Sequence, residues 1–596
     1  MGKQQTATLW RAVTTELAAF DGRFETSWRI ALVCALTTLV FMTYQVPLAA
    51  IACYLVLFVM KPDPAKTTLM AIAICVLVSL VVIVLFLLVR IAIEEPLWRL
   101  VIIALGSFIF LFLGAASKLG PVGGIIALVI AFVMTLLADA PFGEVATRGI
   151  LYAWLMALIP MGVIIAFNLV LGRSASKLLH HTLALRLRAV AHAVQAQGNT
   201  HTLLPLIRQG NTDLESYLKF CKLFHSFPSY IHRQLSSAAE RSYGLLLHAS
   251  RLTTKQIGHH EAAMLRQACL LMAEALEQQR YEPLRDASEF IAGPERTLAE
   301  LLHQFYTPAP EHPPSPPSGF FYSDALRNPD YQRFALKTTL SALLAYIIYT
   351  SLDWQDIHTA MITCYVAALG TTGETVHKLT LRIVGCLIGA AMGIASIYFL
   401  MPLMTSIGHL MVLVFVGTLV AGWVSSGSER SAYAGVQIGL AFLLTVLQGF
   451  GPDVKISVAL DRVAGILLGN LILYLVFTRI WPISAASSVQ RKLQQIAEQM
   501  AWFLKRRTNT TICTASQAAQ MLSELNSARE QLALTWFEPH RLKPDQKTLN
   551  TLTGTLERSE QLCIAMAVSH HAPDSQISLL SRRNLRLQRV LAVKPL

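Results

Sequence analysis

The chain has 596 residues, of which 54% are hydrophobic and only 14% are charged. Its 49 lysines and arginines against 36 aspartates and glutamates give a formal net charge of +13. Since about 25% of the residues of a soluble globular domain are charged, this composition excludes an ordinary soluble protein and indicates a membrane protein.

The first predicted element is a transmembrane bundle over residues 28–172, which follows a cytoplasmic N-terminal segment, residues 1–27. About 20 apolar residues span the hydrocarbon layer of a bilayer, so each nearly uncharged stretch predicts a span. The longest stretch is long enough for two short spans, so the five stretches predict six transmembrane spans. These stretches lie near residues 30–60, 67–90, 98–116, 121–138 and 148–172.

A helical cytoplasmic domain is predicted next, over residues 173–333. In the sequence LRLRAVAHAVQAQ, which starts at Leu185, apolar residues recur at intervals of three and four, as in an amphipathic helix. The domain closes with TPAPEHPPSPPSG, residues 307–319. This proline-rich connector cannot continue a helix and serves as a semi-rigid spacer.

A second transmembrane bundle is predicted over residues 334–482, followed by a C-terminal helical cytoplasmic domain over residues 483–596. The two bundles together give about twelve transmembrane helices in an all-α protein, with the shortest apolar stretches near residues 46–60 and 357–369. The basic sequence RRNLRLQR, residues 582–589, favours a solvated helix or contact with anionic lipid over nucleic acid.

The orientation follows from lysine and arginine in the short loops, because these residues stay on the cytoplasmic side. With the N-terminus inside, Lys61, Lys118 and Lys378 lie in inner loops, whereas the acidic Glu94 and Asp353 lie in outer loops. Both termini are therefore predicted to be cytoplasmic, in a multi-pass topology.

Two stretches of the sequence resemble each other and indicate duplication. RIALVCALTTLVFMTYQ (residues 29–45) is similar to RFALKTTLSALLAYIIY (residues 333–349), and a Cys-Tyr pair follows each. An even number of spans in each repeat gives both halves the same orientation, so the two six-helix bundles are predicted to be parallel repeats.

Glycines spaced by four residues follow an arginine in two predicted spans, LRIVGCLIGAAMG (residues 381–393) and DRVAGILLGN (residues 461–470). Small residues at this spacing lie on one helix face and allow close helix packing in lipid. A substrate path beside the backbone is the alternative reading. The glycines predicted to pack helices are Gly385, Gly389, Gly393, Gly435, Gly439, Gly465 and Gly469.

The two arginines are candidate substrate-binding residues. A guanidinium holds a carboxylate in a fork, which suits an organic acid, so Arg382 is the first choice for an inner recognition site. Asp461 and Arg462 form a candidate pair at the exit. The alternative is that each arginine reaches the lipid headgroups from a helix end.

No ATP-binding site is evident, because the glycine-rich stretch GTTGETVHK, residues 370–378, lacks the ending of a phosphate-binding loop. Uphill transport would then be driven by ion coupling, and a proton relay needs ionisable residues in or near the spans. For each residue alone, a solvated loop position is the alternative to a proton relay. Asn168, Gln437, Gln448 and Asn470 are further buried polar candidates that can bridge helices. The candidates for proton coupling are Asp353, Asp356, His358, Glu374 and Asp461, together with Asp139.

Other chemistry has little support in the sequence. The adjacent histidine pairs lack the His-Glu-x-x-His spacing of a helical metal site, and no nucleophile or paired catalytic carboxylates stand out. We therefore predict no metal, no cofactor and no enzymatic activity.

The whole chain resembles the fusaric acid resistance family of bacterial inner-membrane exporters. The resemblance rests on six-span halves alternating with helical cytoplasmic domains, on the arginine–glycine motif and on TRIWP, residues 478–482. It implies export of aromatic or other organic acids and drugs, with a periplasmic adaptor protein and an outer-membrane channel as partners. The first half lacks a clean copy of the arginine–glycine motif after KPDPAKTTL, so recognition by arginine would be asymmetric.

Two other functions remain open at this level, an organic-anion channel and a membrane-embedded assembly or regulatory protein. The oligomeric state is open too. The apolar stripes of the cytoplasmic helices can pair between two chains, as a homodimer, or between the two blocks of one chain.

Overall fold

The computed structural model is described over most of the chain and is helical, with no β-strand in those parts. The all-α fold predicted from the sequence is confirmed at this level. The described residues are 16–20, 22–92, 95–136, 143–172, 174–195, 203–251, 259–281, 294–307, 319–322, 324–354, 357–450, 456–505, 513–569 and 574–592. The predicted connector 307–319 and the segment 1–27 fall partly outside them.

The chain divides into two compact units, each built from two separate stretches of sequence. Unit 1 comprises Met1–Gly172 and Ser315–Pro482, and unit 2 comprises Arg173–Pro314 and Ile483–Leu596. The boundaries of the predicted transmembrane and cytoplasmic domains stay predictions.

The helices are numbered in chain order. The first half of the chain forms α1 (Arg23–Thr43), α2 (Ala49–Val59), α3 (Pro64–Ala92), α4 (Pro96–Ala116), α5 (Pro121–Leu136), α6 (Gly143–Leu171), α7 (Ala175–Gln195), α8 (Leu203–Gln209), α9 (Thr212–Leu223), α10 (Ser229–Ala249), α11 (His259–Glu277) and α12 (Pro294–His303). The second half forms α13 (Pro329–Ser351), α14 (Thr359–Ala367), α15 (Thr372–Phe399), α16 (Ile407–Ser425), α17 (Glu429–Val446), α18 (Ile456–Arg479), α19 (Ala485–Lys505), α20 (Ala515–Ala533), α21 (Gln546–Val568) and α22 (Asp574–Ala592).

Eight helices in the described part of the chain are long and apolar enough to cross a membrane, and all eight lie in unit 1. Three shorter apolar helices accompany them, Ala49–Val59, Pro121–Thr135 and Arg430–Val446. Helix α14 has only nine residues. The predicted total of about twelve spans in two repeats therefore stays a prediction, with four of the expected spans shorter than a straight crossing requires.

Unit 1 carries large apolar side chains on its outside, as expected of a surface that faces lipid. On α3, Val76, Ile83 and Leu87 are each more than 60% exposed. Such a surface is unfavourable in water and favourable against acyl chains. The outward faces of these helices are therefore suited to a bilayer.

Helix packing in unit 1 follows one pattern in both halves. Helix α1 packs on α16 and α13 packs on α4, so the first helix of each half lies against the fourth helix of the other. The short helices cross over in the same way, α2 to α17 and α14 to α5. Within each half, α3 contacts α6 and α15 contacts α18. The two halves thus interlock and do not form separate bundles.

A buried cation ties the first and last helices of each half together. Arg29 Nη2 on α1 donates to the carbonyl of Leu171 at the end of α6, at 2.6 Å. Lys337 Nζ on α13 donates to the carbonyl of Trp481, at 3.2 Å, and lies 4.6 Å from the ring centroid of Phe477. Cations are favourable at helix C-termini, where carbonyl groups lack helical partners.

The glycines of α15 lie against α17. A side chain at Gly385 would meet the carbonyl oxygen of Ala434 at 2.6 Å, and one at Gly393 would meet Thr445 Cβ at 2.6 Å. At Gly389 it would collide with the carbonyl oxygen of Ile438. Close backbone approach replaces the hydrophobic drive that is weak between helices in lipid.

The other glycines make similar contacts. A side chain at Gly435 would collide with Ser425 on α16, and one at Gly439 with Leu57 on α2. On α18, the space beside Gly465 and Gly469 is taken by α14, through its hydroxyl groups and backbone.

Unit 2 has one hydrophobic core to which both stretches of sequence contribute. Leu183 and Leu246 from the first stretch share it with Val489, Leu525 and Leu562 from the second. The amphipathic faces of the two blocks are thus buried against each other within one chain.

An ion-pair cluster joins the two stretches of unit 2. The carboxylate of Glu560 accepts from Arg208 Nε at 2.7 Å and from Arg529 Nη2 at 2.7 Å. Burial raises the pKa of Glu560, but the hydrogen bonds and charges of the two arginines outweigh it, so the pKa lies below its ordinary value.

We expect Gly389→Leu to prevent folding of unit 1, because the side chain would displace α17 by more than its backbone can adjust, at a cost above about 3 kcal/mol. Size-exclusion chromatography in detergent and the melting temperature measure this. Gly162→Leu on α6 is the matched control, since a Cβ atom added at that glycine would meet no atom of another helix within 4 Å. A well-folded Gly389→Leu protein would show that this contact is dispensable.

We expect Glu560→Gln to destabilise unit 2 by about 2 kcal/mol at pH 7, because two arginines lose their carboxylate. A depressed carboxyl pKa contributes stability above about pH 4.3 that is lost as pH falls further, so the variant should lose less on acidification. Hydrogen exchange of α20 and α21 measures both effects. Glu277→Gln, at the exposed ion pair with Arg188, is the control and should change little.

Candidate functional site

Arg382 lies in the interior of unit 1, on the same face of α15 as its glycines. Its side chain is 1% exposed. Nη1 donates to the Tyr433 hydroxyl at 3.1 Å and to Gln437 Oε1 at 2.9 Å, both on α17. Since Gly385 brings the two helix backbones close, the guanidinium reaches α17 without leaving the interior of the unit.

In the described part of the chain, no carboxylate balances the charge of Arg382. Among the described residues, both of its hydrogen-bond partners are neutral, and the groups with which it interacts electrostatically are two tyrosines, two cysteines and a lysine. Its Nε atom has no partner, nor does Nε2 of Gln437. A buried guanidinium without a counter-ion is costly, so the site holds two unsatisfied donors beside an unpaired positive charge.

Both halves of unit 1 supply the surroundings of Arg382. Tyr54 on the short helix α2 interacts electrostatically with Arg382. Lys378, one turn before Arg382, lies with Nζ 4.8 Å from the ring centroid of Tyr433. The surroundings of Arg382 therefore contain a second cation and two aromatic rings.

Helices α15 and α18 run antiparallel. Near the start of α15, Thr372 Oγ1 donates to the carbonyl of Phe477 near the end of α18, at 3.3 Å. Further along α15, Cys386 packs in one buried cluster with Ala441 of α17 and Ile466 of α18. These two contacts define the register of α18 against α15, that is, which residues of the two helices lie at the same height along their common axis.

The structure does not place Arg462 next to Arg382. Arg462 is half-buried near the start of α18, four residues before Ile466. Arg382 is four residues before Cys386 on the antiparallel α15, so the two arginines lie one turn above and one turn below the Cys386–Ile466 contact. Eight residues of helix correspond to about 12 Å. The two predicted substrate residues thus stand at different levels of the same helix pair.

The predicted proton-coupling residues are dispersed. Asp353 is exposed at the end of α13, with a left-handed φ of 51°. His358 is the N-cap residue of α14, with its ring centroid 5.9 Å from that of Phe132. Asp461 is half-buried beside Arg462. Asp356 and Asp139 lie outside the described residues.

Glu374 has a structural task. Its carboxylate accepts from the backbone N–H of Thr371 at 3.2 Å, while the Thr371 hydroxyl accepts from the backbone N–H of Glu374 at 3.3 Å. This reciprocal capping box closes the first turn of α15. The sequence signal was present, since Thr-Thr-Gly-Glu carries the threonine and glutamate at the required spacing.

Tyr433, Tyr54 and Lys378 are the neighbours of Arg382 that sequence reasoning missed, whereas Gln437 was among the buried polar candidates. A usable signal exists on α17, where Tyr433 and Gln437 stand one turn apart in an apolar helix. Such polar side chains inside a predicted span need a partner.

The first half has no counterpart of Arg382. Thr67 and Thr375 make the same contacts at the turns before α3 and α15, each accepting from the backbone N–H of the residue six positions earlier, at 3.0 and 3.1 Å. Counting seven residues onward from each threonine leads to Ile74 and Arg382. The cation is thus present in one half alone.

Comparison with known proteins agrees with the resemblance seen in the sequence. Residues 332–585 match the model of the fusaric acid resistance protein family. The family resemblance predicted from the sequence is therefore confirmed, with the matched region covering the second half of the chain.

Relatives match more of the chain. The "Multidrug resistance protein MdtO" of Escherichia coli O157:H7 is 26% identical over 500 residues, covering 79% of this chain and 71% of that protein. The protein of the same name from Shigella flexneri is 26% identical over 488 residues, covering 77% and 69%. The "Inner membrane protein YccS" of Escherichia coli K12 is 29% identical over 173 residues, covering 29% and 23%. No solved structure shows significant similarity to the chain.

Proposed function

We propose that the chain is an inner-membrane efflux transporter that exports organic anions, including aromatic acids and drugs that carry a carboxylate. The observation that carries the proposal is the buried guanidinium of Arg382, which is 1% exposed and has no carboxylate partner among the described residues. The similarity to proteins named for multidrug resistance also supports a role in efflux.

The chemistry of the Arg382 site suits a carboxylate. Unpaired donors at Arg382 Nε and Gln437 Nε2 match the acceptor oxygens of an anion, and a charge-assisted hydrogen bond contributes about 1.5–3 kcal/mol. The bound anion neutralises a cation that burial makes unfavourable. An aromatic substrate also gains contact with the rings of Tyr54 and Tyr433.

The release path runs along α18 in this proposal. Arg462 stands about 12 Å from the level of Arg382, beyond the apolar layer formed by Cys386, Ala441 and Ile466. An anion that leaves Arg382 meets this second cation next to Asp461. The carboxylate of Asp461 competes for Arg462 and so weakens a final hold on the substrate.

The topology in this proposal is two parallel six-helix repeats with both termini and both stretches of unit 2 in the cytoplasm. The recurrence of helix contacts in the two halves supports duplication, and so do the matching turns at Thr67 and Thr375. The distribution of lysine and arginine in the loops supports the orientation.

Proton coupling is the proposed energy source. His358 and Asp461 are the preferred relay residues, because each is half-buried at the start of a helix of the second half. Asp353 is an exposed loop residue, and the capping role of Glu374 makes it less suitable. A histidine titrates near neutral pH and can alternate between protonated and neutral forms.

A periplasmic adaptor protein and an outer-membrane channel are the proposed partners. The predicted outer loops are short, so the chain delivers its substrate only to the far face of one bilayer. Passage through a second membrane requires a conduit built by other proteins.

The test is uptake of radiolabelled benzoate into everted inner-membrane vesicles energised by respiration. We expect Arg382→Met to lower the uptake rate about 10- to 100-fold, corresponding to the loss of one charge-assisted hydrogen bond. The same variant should keep or raise the melting temperature, because it removes an uncompensated buried charge. Arg148→Gln, at an exposed ion pair with Glu144, should transport normally.

Three outcomes would contradict the proposal. Wild-type vesicles that accumulate no carboxylate would remove the export function, and normal uptake by Arg382→Met would remove the site. Benzoate flux that is conductive and insensitive to an uncoupler would replace the exporter with an organic-anion channel.

A further inference from the structure

Asn470 is a buried amide without partners. It is 4% exposed, and neither Nδ2 nor Oδ1 has a hydrogen-bond partner among the residues that the structure describes. Each unsatisfied buried polar group costs about 1–3 kcal/mol, so a native protein rarely keeps one without a reason. The intramembrane amide of Asn168 on α6 provides a contrast, because it donates to Thr68 Oγ1 at 3.1 Å.

The packing of three helices places Asn470 at the level of Arg382. Cys386, Ala441 and Ile466 share one apolar cluster where α15, α17 and α18 meet. Successive glycines of α15 contact Ala434, Ile438 and Thr445, which also follow one another along α17, so these two helices are parallel. Helix α18 is antiparallel to both.

One helical turn from the apolar cluster, towards the start of α15, the three helices present three polar residues. These are Arg382 and Gln437, four positions before Cys386 and Ala441, and Asn470, four positions after Ile466 on the antiparallel helix. Residues four apart lie on the same helix face. The hydrogen bond of 2.9 Å between Arg382 and Gln437 agrees with a common level.

The unsatisfied atoms of this polar layer form a complementary set. Arg382 Nε, Gln437 Nε2 and Asn470 Nδ2 are donors without acceptors, and Asn470 Oδ1 is an acceptor without a donor. A carboxylate satisfies donors alone. The acceptor on Asn470 requires a second group on the bound molecule, one that donates an N–H or O–H.

We infer that Asn470 is a specificity-determining contact of the Arg382 site and selects carboxylates that also carry a hydrogen-bond donor. The inference rests on the proposed function and adds the class of substrate that the site prefers. The carboxylate binds at Arg382 and Gln437, and the donor group of the same molecule binds at Asn470 Oδ1. A polar site discriminates strongly because a ligand without the matching group leaves a buried atom unpaired.

The test compares isosteric competitors of radiolabelled benzoate in everted vesicles. Carbamoylbenzoate and acetylbenzoate, substituted at position 3 or 4, have the same size, but only the carbamoyl group donates. For one of the two positions, we expect the carbamoyl acid to compete about tenfold better in wild type. Asn470→Leu should reduce this ratio to about one, whereas Asn168→Leu should leave it at the wild-type value.

A second variant keeps the inference testable where leucine disturbs packing. Asn470→Asp puts a carboxylate in the polar layer, where it pairs with Arg382 and competes with the substrate. We expect its melting temperature to equal or exceed that of wild type, while benzoate uptake falls at least about tenfold.

The outcomes separate the inference from the proposed function. If uptake depends on Arg382 but the competitor ratio is the same in wild type and Asn470→Leu, the role of Asn470 is overturned and the exporter stands. If Asn470→Asp transports benzoate normally, Asn470 does not face the site. If wild-type vesicles take up no carboxylate, both conclusions fall.

Discussion

The close approach of α15 and α17 at glycine is the contact on which the rest of unit 1 depends. With a side chain at Gly385 or Gly389, the backbones would stand too far apart for Arg382 to reach Gln437. The glycines and the arginine therefore act together, the glycines setting the distance and the arginine using it. The small-residue face thus holds the cation in the interior of unit 1 and away from its outer surface.

The helical class and the glycine faces could be predicted from the sequence, because each leaves a local pattern of composition or spacing, and the same pattern made Arg382 a candidate. Sequence reasoning did not identify Tyr54 or the layer shared by Gln437 and Asn470. Those depend on the register between helices that are distant in the chain, and no local pattern encodes register. The capping box of Glu374 could be predicted from its spacing to Thr371, whereas its candidacy for proton coupling rested only on its titratable side chain.

In unit 2 as well, the sequence does not show which helices pack together. The amphipathic stripes of its helices predicted that apolar faces would be buried, but a stripe does not name its partner. The structure joins the two stretches of sequence in one core, and the carboxylate of Glu560 links Arg208 of the first to Arg529 of the second. A chain arranged in this way satisfies within itself the faces that a homodimer would also have covered.

The difference between the halves at Ile74 and Arg382 has an electrical consequence for a carrier of anions. In the proposed exporter, a bound monoanion lowers the positive charge of the Arg382 site by one, whereas the empty site keeps all of it. Because charge is penalised in a low-dielectric interior, the occupied form rearranges more easily than the vacant one. For the proposed exporter, the membrane voltage is then expected to act more strongly on the vacant form, during its return, than on the form that delivers the anion.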